Sequence, residues 1–119
     1  MVWTYKQSTG ELFHNGKHIE TGYSGRMTNK INPDREQVKG LGPIPRGRWH
    51  IGTVTTHKGP LTIELEQQSG STYGRSLFRM HGERTHGVPG WASEGCIIMS
   101  HHTRWLVANS SDDVLEVIR

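Results

Sequence analysis

Two short segments carry the side chains from which covalent chemistry could be built: Phe78-Arg79-Met80-His81-Gly82 and Ala92-Ser93-Glu94-Gly95-Cys96-Ile97. The first sets a histidine at the end of a short strand, and the second sets a cysteine at the end of a glycine-containing turn, where side chains are presented sharply. A thiol with a pKa of about 8.5 is only a few per cent thiolate at neutral pH, so a nucleophilic cysteine needs an imidazole or a helix N-terminus beside it. His81 is the natural partner for Cys96, because an apolar strand leads into it and fixes its position. A second pair, His86-Gly87, sits nearer the cysteine, so the choice of base is not unique. Small residues at Ser93 and Gly95 would let a substrate carbonyl approach the sulfur, with backbone N–H groups near Gly95 and Cys96 available to an oxyanion. Such donors are typically worth about 3 kcal/mol each in acyl transfer.

The elements that must position these residues can be read from periodicity. Val2 to Gln7 alternates apolar and polar, and Glu11 to His14, Asn15-Gly16 and Lys17 to Thr21 read as a hairpin, so the chain opens as antiparallel sheet. From Gly22 to Gly47 runs a long irregular crossing with at most one helical turn between Pro33 and Val38, and a loop of that length in a small domain often lines a site. Arg48 to Thr55 and Leu61 to Glu66 alternate with period two and suggest a second strand pair, followed by a short strand from Ser76 to His81. Cys96 to Met99 is a buried strand or a helix start, which periodicity alone leaves open. Ser100 is a helix N-cap, with Trp105 and Leu106 turned to the core, and Val114 to Ile118 is a last strand.

Composition narrows the class. The chain has 119 residues, below the usual size of two domains, and residues 1–119 are expected to form a single catalytic domain. With 15 glycines, five prolines and 32% apolar residues, many short strands joined by tight turns are expected rather than a coiled coil. The fold expected is mostly β: two small mixed sheets packed as a β-sandwich or flattened barrel, with one or two short helices. One cysteine excludes an intrachain disulfide and a Cys-rich zinc site. The formal charge of +3 permits a polyanionic partner without requiring one. No run of about 18 apolar residues is present, so no spanning helix is expected, and residues 1–10 lack a secretory apolar stretch.

The two chemical segments, in the order histidine-glycine, loop, Ser-x-Gly-Cys-Ile, resemble the active-site signature of YkuD-type L,D-transpeptidases. In papain-like and related peptidoglycan peptidases the cysteine comes first, so the order here disfavours those folds. The wider set Gly22-Tyr23-Ser24-Gly25, Gly42-Pro43-Ile44-Pro45-Arg46-Gly47, Gly74-Arg75-Ser76 and Ala92 to Ile98 resembles a divergent branch, the L,D-transpeptidase-like antibacterial effectors of type VI secretion, over nearly the whole chain. The resemblance implies that Cys96 attacks the carbonyl of the third residue of a tetrapeptide stem and expels D-Ala. Water would complete an L,D-carboxypeptidase reaction, and a D-amino acid or second stem a transpeptidation or exchange. By the same analogy His81 is base and then acid, its ring oriented by the Gly82 carbonyl, and Ser93 shapes the pocket. No cofactor is implied.

Tyr23, Ser24 and Trp91 are the candidates to line the cleft. The chain departs from the classical motif at two positions, with Glu94 where a histidine stands between Ser and Gly, and Ile98 where an arginine follows the cysteine. Arg75, Arg79 or Arg84 could replace that arginine in recognising a substrate carboxylate, although each is more simply a solvated surface charge.

An effector of this kind implies secretion machinery and an immunity protein as partners, synthesis in the cytoplasm, and action in the periplasm of target bacteria. Two other classes compete with the enzyme. One is a non-catalytic module that binds the cell wall or a nucleic acid, but the aromatics are not interleaved with a basic cluster, so no nucleic-acid partner is expected. The other is a zinc hydrolase using His81, His86 and His101, though no metalloprotease spacing supports it. His14, His18, His50 and His57 read as surface or half-buried strand residues.

Overall fold

The structure is a computed structural model that describes residues 2–26, 30–83, 93 and 95–119. Alternation in the sequence becomes one curved sheet. Its nine strands among the described residues are β1 (Trp3–Lys6), β2 (Glu11–His14), β3 (Lys17–Thr21), β4 (Tyr23–Ser24), β5 (Gly47–Thr55), β6 (Thr62–Gly70), β7 (Arg79–His81), β8 (Ile97–Ile98) and β9 (Val114–Ile118). They lie in the order β3-β2-β1-β9-β5-β6-β7-β8-β4. The protein is therefore mostly β, a nearly closed mixed barrel with one short helix, α1 (His101–Ala108). The two sheets expected from the sequence are one continuous ladder, because β9 pairs with β1 in parallel and with β5 in antiparallel register.

Closure follows from the chain itself. β3 and β4 stand at opposite edges of the sheet, yet only Gly22 separates them in sequence. The sheet must curl until its edges meet at that residue, and a Cβ there would overlap the carbonyl oxygen of Ile98. Gly22 also donates its N–H to Gly10 O at 2.8 Å. β4 was hidden within the long crossing of the sequence reading, since a two-residue strand has no periodicity to read; it pairs antiparallel with β8.

One face of each strand fills the barrel. Trp3 and Tyr5, Trp49 and Ile51, Ile63 and Leu65, Met80, Ile97, Leu115 and Val117 all belong to one buried apolar cluster. Burying each such side chain is worth roughly 1.5–3 kcal/mol. Because neighbours along a strand point to opposite faces, Arg79 and His81 on β7, Ile98 on β8 and Cys96 just before it are turned to the outer face. Cys96 and Ile98 are buried but stand outside the core cluster.

The helix begins where the sequence placed it. Ser100 caps it, its hydroxyl accepting from Thr103 N. Its buried side is Thr103, Arg104 and Val107, with Leu106 partly buried against the core. Trp105 is 51% exposed, a correction to the expected inward orientation. The spacing Ser100, Thr103, Arg104, Val107 is one helical face, and Trp105 falls off it.

Candidate active site

β7 and β8 run parallel with Met80 opposite Ile97 and His81 opposite Ile98. Extending that register by one residue sets Cys96 opposite Arg79, one strand spacing of about 4.8 Å away. His81 lies two residues further along the same outer face, as a diagonal neighbour of Cys96. His81 is the last residue of β7 and Cys96 immediately precedes β8, so both chemical groups sit at strand termini beside loops.

His81 is 5% exposed, and its Nδ1 lies 2.9 Å from Gly82 O. A carbonyl only accepts, so Nδ1 carries the proton and Nε2 keeps its lone pair. Burial pushes the His81 pKa below its ordinary value; the Gly82 contact opposes this, while Lys58, Arg104 and Arg79 push the same way. The ring is neutral at pH 7. Gly82 is itself held, because the Arg104 guanidinium occupies the space where a Cβ would stand. Arg104 is 8% exposed and donates to Met99 O, Ser100 O, Pro60 O and Leu61 O. It ties the end of β8 and the start of α1 to the β5–β6 connection.

Cys96 is 7% exposed, with Sγ 3.7 Å from Leu77 O. Burial pushes its thiol up, opposed by the backbone N–H of Arg79 and by the charges of Arg79 and Lys58. Thiol and imidazole are thus both neutral at rest. The residue whose carbonyl faces the sulfur, Leu77, has φ +62° and is 71% exposed. A non-glycine residue in that region costs of order 1 kcal/mol and is found where the surroundings impose it.

The turn before Cys96 is braced from three directions. The Ser93 hydroxyl donates to Cys96 O and accepts from Gly25 N at 2.9 Å and Gly95 N at 3.1 Å. The Ser24 hydroxyl donates to Gly95 O at 3.0 Å and accepts from Ile44 N at 2.8 Å. Both serines are fully buried, so each acts on the turn rather than facing a cleft. The Gly95 N–H is engaged by Ser93 and is not turned toward an oxyanion, a correction to the expected donor pair.

The third brace is Arg75. It is 6% exposed, and its guanidinium donates to Pro43 O and Gly42 O at 2.8 Å each and to Glu36 O. The same group lies 5.0 Å from the centre of the Phe78 ring and fills the space where a Gly95 Cβ would stand. Gly95 has φ +126°, so only glycine serves there. Arg75 is therefore no solvated surface charge; it locks the 42–43 segment onto the nucleophile turn.

Beyond His81 the outer face opens into a cleft of about 370 Å³, bounded by Glu20, Tyr23, Glu83, Ile98, Ser100 and Arg104 among others. Tyr23 donates its hydroxyl to both Glu83 oxygens, at 2.7 and 2.8 Å, and Lys30 Nζ lies 4.9 Å from its ring centre. Trp91, Glu94, Arg84 and the alternative base His86 lie outside the described residues. Among the described residues no three His, Cys, Asp or Glu side chains gather as a metal-ligand set. Sequence reasoning missed Arg104 and Leu77, and no local signal in the sequence marks either, since the carbonyls around Arg104 and the sulfur facing Leu77 O are brought there by the fold.

A curled β barrel thus sets a histidine and a cysteine on the outer face of adjacent parallel strands, and the family model that matches the chain is an L,D-transpeptidase-like one. The Tlde1 domain family matches residues 18–117, and the chain belongs to that family of type VI secretion effectors. A comparison with curated proteins returns no match. Membership places the protein among antibacterial effectors that act on the cell wall, are delivered to target cells, and have secretion machinery and an immunity protein as partners. Among the described residues no helix is long and apolar enough to cross a membrane.

Proposed function

We propose that this protein is a cysteine peptidoglycan acyl-transfer enzyme, an L,D-carboxypeptidase, L,D-transpeptidase or both, acting on tetrapeptide stems. The observation that carries the reading is the placement of Cys96 and His81 on one face of adjacent strands, with the His81 ring oriented by Gly82 O. Family membership supports the cell wall as the target.

In the first half-reaction the Cys96 thiol gives its proton to His81 Nε2 as sulfur attacks the carbonyl carbon linking the third stem residue to D-Ala. The tetrahedral adduct collapses, the C–N bond breaks, and the imidazolium proton passes to the departing amine. A thioester remains. Water, or the amine of a D-amino acid or second stem, then gives a proton to His81 and attacks the thioester, and the C–S bond breaks with return of the proton to sulfur. Hydrolysis and transfer differ only in which acceptor reaches the acyl-enzyme.

Ser93, Ser24 and Arg75 serve as positioning residues that set the nucleophile turn, and Tyr23 offers a wall of the cleft beyond His81. The test is incubation of the protein and its Cys96→Ala variant with tetrapeptide muropeptides, with and without a D-amino acid, read by product mass. Loss or exchange of D-Ala only with the intact thiol is the expected result, and equal turnover by Cys96→Ala ends the reading.

A further inference from the structure

β7 is only three residues long and His81 is its last, so the placement of the base depends on what holds the end of that strand. Its neighbours are β6, where Ile63 stands opposite Met80, and β8, where Ile98 stands opposite His81. Extending both registers sets Gly82 between Leu61 on one side and Met99 on the other. Arg104, arriving from α1, donates to the carbonyls of both: Nη1 to Leu61 O at 3.1 Å and to Pro60 O at 2.6 Å, and Nε to Met99 O at 3.2 Å. Met99 N donates in turn to His81 O at 3.1 Å. Between these attachments Nη2 lies 2.7 Å from the place a Gly82 Cβ would take. One buried guanidinium thus spans the end of β7 from flank to flank and packs on the residue whose carbonyl orients the His81 ring.

A tie between α1 and the sheet would need only the Pro60 and Leu61 bonds; the Met99 bond and the contact with Gly82 bring the base into it. Gly82 has no left-handed φ to require glycine, so what the position needs is space for the guanidinium. Leu61 holds φ +53°, a conformation that its surroundings must impose. Three cations act on the imidazole: Lys58 from the β5–β6 connection, Arg79 from its own strand and Arg104 from α1, each disfavouring the imidazolium. The acids near it are Glu64, bound to Arg79, Glu83, bound to Tyr23 across the cleft, and the Cys96 thiol.

We propose that Arg104 is a positioning residue for the base: it clamps Gly82 between β6 and β8 so that Gly82 O holds the proton on His81 Nδ1 and leaves Nε2 free to take another. The inference rests on the acyl-transfer reading for the use made of that second proton, and not for the placement of the ring.

The test is ring-nitrogen NMR of His81, assigned against His81→Gln, in the wild type and in Arg104→Met. The wild type is expected to show the Nδ1–H tautomer at pH 7. Arg104→Met is expected to show both tautomers and to take up a proton at a pH higher by roughly one unit, since one of the cations around the ring is gone. Lys58→Gln removes another without touching Gly82, and is expected to raise the protonation pH with the tautomer intact. A folded Arg104→Met protein with the wild-type tautomer and protonation pH overturns the assignment.

If Arg104→Met does not fold, Gly82→Ala decides. It keeps the guanidinium and the four carbonyls it serves, but sets a methyl against Nη2, whose position is tethered and not free to swing. Mixed tautomers are expected, and a single Nδ1–H form in folded Gly82→Ala overturns the clamp. Muropeptide turnover by folded Arg104→Met is expected to fall roughly 10²-fold, the scale of a misplacement of about 1 Å. The NMR readings need no turnover. A tautomer that depends on Arg104, in a protein whose wild type is inert toward muropeptides, therefore keeps the clamp and removes the acyl-transfer reading.

Discussion

The Ser93 hydroxyl bonds to the carbonyl oxygen of Cys96, closing a buried ring around the nucleophile turn. Ser93 Oγ in turn accepts the N–H groups of Gly25 and Gly95, so one hydroxyl joins the long 22–47 crossing to the cysteine.

Ser93→Ala leaves two buried donors and one acceptor without partners, each costing about 1–3 kcal/mol if water does not enter. The expected outcome is a lower melting temperature together with a loss of activity larger than the population unfolded accounts for, because the turn that aims Cys96 is released. Thermal unfolding and muropeptide turnover measured on the same sample check this. Wild-type activity in a stable Ser93→Ala protein would contradict the bracing role.

The pH dependence follows from two opposite displacements. Burial lowers the His81 pKa below 6.5, and burial raises the Cys96 thiol above its ordinary value of 9.0. A base must be unprotonated to work, so kcat/KM is expected to fall only as pH drops below 6.5 and to stay level up to about pH 9. Alkylation by neutral iodoacetamide reports thiolate alone, and its rate is expected to keep climbing through pH 9. A flat alkylation rate from about pH 5 to 9 would instead reveal a preformed thiolate–imidazolium pair.

Glu36 governs acid stability. Burial raises its pKa, but bonds from the Arg46 side chain and backbone and from Gln7 and Tyr73 outweigh that and hold it down to about 2. A depressed folded-state value contributes stability that is full above the ordinary value of 4.5 and is lost as pH falls toward 2. Glu36→Gln is expected to destabilise the protein at pH 7 by on the order of 3 kcal/mol, since Arg46 and the buried donors lose a charged acceptor. Denaturant titrations at pH 7 and pH 3 should show the gap between wild type and variant shrinking in acid. A constant gap would deny the carboxylate this role.

The local signals in the sequence proved strongest where residues speak for themselves. Alternation announced β1, β5 and β6, the Asp112-Asp113 turn announced β9, Asn15-Gly16 announced the β2–β3 turn, with φ +52° and +82°, and Ser100 announced the helix start. What stayed hidden was non-local. β4 exists because Ile98 and Ile97 arrive from the far end of the sequence to pair with Tyr23 and Ser24. Arg75 and Arg104 look like surface charges in sequence because nothing nearby explains their burial. Each is buried because the fold gathers backbone carbonyls around it: those of Glu36, Pro43 and Gly42 for Arg75, and those of Met99, Ser100, Pro60 and Leu61 for Arg104. The Cys96 and His81 segments were legible as types and order; that strand pairing sets them side by side was not.

The single residue between β3 and β4 couples the architecture to time. Pairings of high sequence separation form slowly, since loop-closure entropy must be met before any contact compensates for it. The strand beside the cysteine gains its second neighbour only when the two margins of the ladder meet at Gly22. Until that meeting β8, the strand that follows Cys96, is paired on one side only, by β7.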